Sequence, residues 1–270
     1  MSIIYLPHFN PSIFEIGFIS IRYYSLAYII GILLAMFFIN NENKKYNFMS
    51  KEAQEDWLVW AVLSIILGGR IGYVLFYNFQ YFINHPLEIL AVWQGGMSFH
   101  GGLIGSLIGL YLFCKKYNVD IYKIGDNIAI IAPIGIFLGR LANFINLELY
   151  GRPTNENYGF VFPTDPLQIP RHPSQLYEAF LEGLLIFIIL FTLDKTTKIK
   201  NVRGFISGIF MVLYALARLI VENFREPDLH IGEFEILSLN ITLGQILSAP
   251  ILIFGIWLLT KAIRSNKISS

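Results

Sequence analysis

Long apolar runs broken by short polar clumps set the pattern of this chain. Seven runs reach or nearly reach the roughly 20 apolar residues that cross about 30 Å of hydrocarbon. They occupy 19–39, 57–77, 96–114, 127–145, 175–193, 204–223 and 241–263. Lipid offers no partner to a bare peptide group, so each run must close its own backbone hydrogen bonds as a helix. The pattern predicts an all-α polytopic membrane protein of about seven transmembrane helices, built as a single transmembrane domain over 1–270. The connection between the fourth and fifth runs, approximately 146–174, is rich in proline and glycine. Connections that long inside a compact domain are usually functional.

Charge placement gives these runs a direction. Lys44, Lys45, Lys51, Lys115, Lys116, Lys123, Lys195, Lys198, Lys200, Arg203, Lys261, Arg264 and Lys267 all fall on one side. Only Arg152, Arg171 and Arg225 fall in connections on the other. The positive side is cytoplasmic. The expectation is therefore a multi-pass protein of the bacterial cytoplasmic (inner) membrane, with its N-terminus outside, its C-terminus in the cytoplasm, and 146–174 as an outer-side loop. The first apolar run follows no positively charged leader and is expected to be kept.

Composition agrees with this reading and narrows the chemistry. Of 270 residues, 14% are charged, against about 25% in soluble domains, so most of the surface is suited to membrane lipids. A net charge of +1 and the lack of a recognition motif argue against nucleic acid as a partner. Cys114 is the single cysteine, so no internal disulfide is available, and it reads as a packing residue. His8, His85, His100, His172 and His230 are scattered without metal-site spacing, and no nucleotide-binding loop is visible. Neither a metal nor a cofactor is expected. No internal repeat is apparent.

On this topology the polar residues within the runs collect at one depth. Arg22 and Tyr24, Arg70, His100, then Arg140, Asn143 and Asn146, then Gln175, Tyr177, Glu178 and Glu182, and finally Tyr214, Arg218 and Glu222 all lie at outer ends. A buried charge near a helix centre costs about 2.5–3.5 kcal/mol on insertion scales and must face the bundle interior or a wet cavity. Helix-end snorkelling accounts for any one arginine but not for a set confined to one side. Tyr214, Arg218 and Glu222 are each four apart and share a face, so Arg218 and Glu222 can pair. Arg140 and Asn143 also share a face. Gly101, Gly105 and Gly109 repeat every four residues, which lets another backbone come close. Arginines at this depth suit an anionic lipid headgroup, and a histidine titrating near neutrality suits proton removal. The residues alone leave three readings open: a phospholipid headgroup transferase, an anionic-lipid transporter, and a structural or receptor-like protein.

Several motifs add a resemblance. Gly68-Gly69-Arg70-Ile71-Gly72-Tyr73, Gly95-Gly96-Met97-Ser98-Phe99-His100-Gly101-Gly102, Gly139-Arg140-Leu141-Ala142-Asn143-Phe144-Ile145-Asn146, Arg171-His172-Pro173-Ser174-Gln175-Leu176-Tyr177-Glu178 and Arg225-Glu226-Pro227-Asp228 occur in that order. Together they resemble the bacterial prolipoprotein diacylglyceryl transferase family over nearly the whole chain. The resemblance implies transfer of the diacylglyceryl group of phosphatidylglycerol to the thiol of the lipobox cysteine in a preprolipoprotein signal peptide. A thioether forms and glycerol 1-phosphate is released, the first step of lipoprotein maturation. It further implies that His100, Arg140, Arg218, Tyr24 and Glu222 are catalytic, with His100 as the base. Arg140, Asn143, Arg218, Gly151, Tyr214 and Glu148 are implied to bind phosphatidylglycerol. The chain departs from the family pattern at Leu147 and Ser25, where glycine is common, and at Asn223, where phenylalanine is common.

Overall fold

The computed structural model describes residues 3–9, 12–16, 19–155, 158–227, 233–236 and 239–269. Asp228 and His230 lie outside them, and the side chain of Arg22 is likewise outside the description. In chain order the elements are β1 (Ile4–Tyr5), β2 (Ser12–Ile16), β3 (Ile19–Arg22), α1 (Tyr23–Tyr46), α2 (Lys51–Phe76), α3 (Phe79–Asn84), α4 (Phe99–Tyr117) and α5 (Ile121–Ile145). There follow β4 (Phe160–Val161), β5 (Pro170–Arg171), α6 (Ser174–Glu178), a π-helical stretch (Ala179–Leu185), α7 (Ile186–Thr196), α8 (Phe205–Val221), β6 (Glu233–Ile236), β7 (Leu239–Thr242) and α9 (Leu243–Ser269). The chain is mostly helical and polytopic. Among the described residues, five helices are long and apolar enough to cross a membrane: Tyr23–Tyr46, Lys51–Phe76, Ile121–Ile145, Ser174–Thr196 and Leu243–Ser265. Helix α8 is apolar but shorter.

The strands correct the all-helical expectation. Strand β3 covers Ile19–Arg22, which the hydropathy pattern assigns to the first span, and β7 covers Leu239–Thr242, which overlaps the start of the seventh. Both segments alternate apolar and polar residues, Ile19-Ser20-Ile21-Arg22 and Leu239-Asn240-Ile241-Thr242. That is a period of two, and it favours a strand. The two antiparallel hairpins share one register beside their turns, and only β2 shifts, between Ser12 and Phe14. Ile16 pairs with Ile19, Glu15 with Ser20 and Phe14 with Ile21. Ile236 pairs with Leu239, Glu235 with Asn240 and Phe234 with Ile241. Each hairpin runs straight into a long helix. The chain thus carries a hairpin–helix repeat, with Phe-Glu-Ile at 14–16 and again at 234–236, contrary to the expectation of none.

The chain packs as two compact units, 1–38 with 125–270, and 39–124. In the 39–124 unit, α2 lies against α4 along glycine. A Cβ on Gly68 would come within 2.6 Å of the Gly105 Cα, and one on Gly101 within 2.8 Å of the Gly72 Cα. Ser98 caps α4 by accepting the Gly101 N–H at 3.2 Å, satisfying one of the unpaired amides at the helix start. Cys114 is buried, as a packing residue should be.

In the larger unit, Ala129 and Ile130 of α5, Ile186 and Leu190 of α7, and Ile206 and Ala217 of α8 form one apolar core. Buried Asp126 fixes the start of α8. Its carboxylate accepts the N–H of Gly204 at 2.8 Å, and both the N–H and the hydroxyl of Ser207 at 2.8 and 2.7 Å. The connection between α5 and α6 is folded, with a three-stranded sheet in the order β1-β4-β5, β1 parallel and β5 antiparallel to β4.

Candidate active site

The C-terminal end of α5, the N-terminal part of the Ser174–Thr196 helix and the C-terminal end of α8 meet on a network of ion pairs. Glu178 and Glu182 are fully buried, so their charges require paired partners. Arg140 reaches Glu178 through Nη2 at 2.7 Å and Glu182 at 3.7 Å. Arg218 reaches Glu178 through Nη1 at 3.2 Å, Glu182 at 3.4 Å and, through Nη2, Glu222 at 2.9 Å. Arg225 Nε lies 3.9 Å from Glu178. The Arg218–Glu222 pair is the one that the four-residue spacing anticipates. The sequence groups Glu178 and Glu182 with the arginines by depth alone and does not reveal that they join Arg140 to Arg218. The available signal was two glutamates four apart in an otherwise apolar run.

Local backbone makes this convergence possible. The π-helical stretch includes Glu182, and such bulges recur at functional sites. Gly183, on the same stretch, faces Phe137 of α5. A Cβ there would lie 2.7–2.9 Å from Phe137 atoms, so only glycine lets the two helices come this close. Gly244, at the start of α9, makes equivalent room for the Glu222 carboxylate, which a Cβ would meet at 2.5–2.6 Å.

A second group lies just after α5. Asn143 donates through Nδ2 to Glu148 Oε1 at 2.8 Å, and the Glu148 N–H donates to the Asn143 carbonyl at 3.1 Å. Buried Gln175 donates to the Glu148 carbonyl at 2.7 Å. The turn passes through Leu147 at φ +58° and Leu149 at φ +57°. This left-handed region disfavours side chains by about 1–2 kcal/mol, which explains why glycine suits position 147. Leu147 offsets the strain by burying its side chain. Gly151 donates its N–H to the His172 carbonyl at 2.8 Å, and Arg152 donates to the Phe224 carbonyl at 2.9 Å. The first bond closes the connection on itself, and the second ties it to the end of α8.

The other named residues lie on α1, α2, α4 and α8. Tyr24, exposed on α1, has its hydroxyl 3.4 Å from that of Tyr28, with the rings edge to face. Tyr214 lies one turn before Arg218, its ring 5.9 Å from that of Phe210. His100 is exposed at the second position of α4, in the 39–124 unit. Arg70, grouped with the cluster by depth, is used for folding. It donates to the carbonyls of Glu88, Ile89, Gly95 and Gly96 at 2.6, 2.8, 2.6 and 3.2 Å. Gly95 and Gly96 turn those carbonyls inward with φ of +83° and +76°, a conformation natural to glycine.

The connection holds its own buried ion pair. Arg171 grips Asp165 through Nε at 2.6 Å and Nη2 at 3.1 Å, and Glu226 through Nη1 at 3.2 Å. Burial alone would raise the Asp165 carboxyl. The hydrogen bonds from Arg171 and the Leu167 N–H outweigh it and hold the group below the usual carboxylate range.

Residues 11–261 match the family described as prolipoprotein diacylglyceryl transferase. A Rickettsia akari protein named phosphatidylglycerol–prolipoprotein diacylglyceryl transferase is 50% identical over 258 residues, covering 95% of this chain and 98% of its own. Proteins of the same name from Azospirillum brasilense and Rickettsia typhi are each 49% identical. The first covers 98% of both chains, the second 95% of this chain and 98% of its own.

Proposed function

Because the chain belongs to the prolipoprotein diacylglyceryl transferase family, we propose that it transfers the diacylglyceryl group of phosphatidylglycerol to a prolipoprotein cysteine. The observation that carries this reading is the convergence of two arginines, half-buried Arg140 and buried Arg218, on Glu178 Oε2. Two guanidiniums aimed at one oxygen suit a phosphate better than any neutral group.

The proposed acceptor is the lipobox cysteine of a signal peptide. A thiol with a pKa of about 8.5 is mostly protonated at neutral pH, and His100 is its proposed base. The thiolate sulfur attacks the glyceryl carbon that bears the phosphate ester. The carbon–oxygen bond breaks, a thioether forms, and glycerol 1-phosphate leaves with the bonding pair. Arg140 and Arg218 meet the charge that develops on the departing phosphate, and Glu222 keeps Arg218 oriented. Tyr24, Tyr214, Asn143 and Glu148 hold the glycerol hydroxyls. Gly151 shapes the wall beside them.

The proposed setting is the bacterial inner membrane, crossed by seven helices of a single transmembrane domain. The one-sided distribution of lysine and arginine supports an N-terminus outside and a C-terminus in the cytoplasm. The site and the 146–174 connection then belong to the outer half. The test is a transfer assay with purified protein, phosphatidylglycerol and a lipobox peptide carrying cysteine or serine at the acceptor position. Glycerol phosphate release and a diacylglyceryl mass increase with cysteine alone are expected. No product with either peptide, from protein that binds phosphatidylglycerol, contradicts the assignment and favours a transporter or a transferase with another acceptor.

A further inference from the structure

The described residues of the network already pair its buried charges with one another. Glu178, Glu182 and Glu222 face Arg140, Arg218 and Arg225. A phosphodiester headgroup brings one more negative charge, and an unpaired buried charge is strongly disfavoured. Something in the network must give way when the donor binds.

Glu178 is the group placed to do so. Its Oε2 sits between the guanidiniums, 2.7 Å from Arg140 and 3.2 Å from Arg218, where a phosphate oxygen would go. Its Oε1 is buried without a hydrogen-bond partner, with Arg225 Nε 3.9 Å away. Half of the carboxylate is therefore poorly satisfied. The two arginines differ as well. The Arg218 side chain is 10% exposed and meets three carboxylates, whereas that of Arg140 is 21% exposed and meets two. Arg140 can turn to a ligand while Arg218 retains Glu182 and Glu222.

Resting on the function proposed above, we infer that Glu178 is a positioning residue that competes with the donor phosphate for Arg140. It stands in for the anion, keeps the two guanidiniums aimed at one point, and limits how tightly phosphatidylglycerol is held. Removing its charge frees the Arg140 contact at 2.7 Å for a phosphodiester oxygen.

The experiment titrates phosphatidylglycerol, with phosphatidylcholine as control, into the purified full chain in neutral detergent. Wild type is compared with Glu178→Gln and Glu178→Asp. Glu178→Gln is expected to bind phosphatidylglycerol about tenfold more tightly, roughly the size of one charge-assisted contact, with no change for phosphatidylcholine. A purely structural role predicts weaker binding, so equal or weaker binding by Glu178→Gln overturns the inference. If Glu178→Gln does not fold, Glu178→Asp decides: it keeps the charge but withdraws the carboxylate from between the guanidiniums, and unchanged or weaker binding overturns the inference while tighter binding supports it. Wild-type protein that binds no phosphatidylglycerol overturns the proposed function itself, and this inference with it.

Discussion

At the scale of single residues, the chain shows which polar groups are expensive but not what they touch. Arg218 and Glu222 were legible as a pair because they are four apart on one helix. Arg140 and Glu178 were not, because their contact crosses between helices. Arg70 was grouped with the site by depth, yet its partners are backbone carbonyls, which every residue carries and no side-chain pattern reveals. Left-handed Leu149 was equally hidden, since leucine gives no sign of positive φ, whereas at Leu147 the glycine common in the family was a sign of it. Asp165 and Arg171 support a prediction at this scale. Asp165→Asn leaves a buried guanidinium short of its main partner and should destabilise the folded connection by about 3–5 kcal/mol. Because the folded Asp165 carboxyl titrates below its unfolded value, the pair stabilises fully above about pH 4 and is lost as pH falls through the folded value. Limited proteolysis of 146–173 across pH 3–7 should show acid-induced cleavage in wild type. In Asp165→Asn, cleavage should already be present at pH 7; equal protection of the two proteins there would refute the role.

At the scale of elements, hydropathy located the long helices, because a membrane requires length and the requirement is visible in a single window. Their starts were less legible. A window that sums hydropathy ignores period, so Ile19–Arg22 and Leu239–Thr242 merged with the helices that follow them. The glycine stripe was read correctly because its four-residue repeat has one physical use. The α2–α4 contact tests that use. A Cβ on Gly105 would lie 2.6 Å from the Gly68 Cα, so Gly105→Leu cannot be absorbed by side-chain motion and should destabilise by about 1–3 kcal/mol. Thermal unfolding in detergent should show the loss, while Gly102→Ala, whose nearest neighbour would lie 3.6 Å away, should stay close to wild type. Similar stability of the two variants would mean that the helices can separate without penalty.

At the scale of the whole molecule, family membership was readable because motifs in several helices occur in one order over most of the chain. What the fold adds is the reason for their order: α5, the Ser174–Thr196 helix and α8 each contribute charged groups to one buried network. Arg140 and Arg218 are the proposed anion fork for the donor phosphate. The most direct measurement of it is kcat/KM for phosphatidylglycerol with Arg140→Lys, which keeps the charge and removes the fork. A fall of about 100-fold or more, the usual effect of losing one transition-state donor, is the predicted result. Activity within about threefold of wild type, smaller than any such effect, would show that the fork does not carry the reaction.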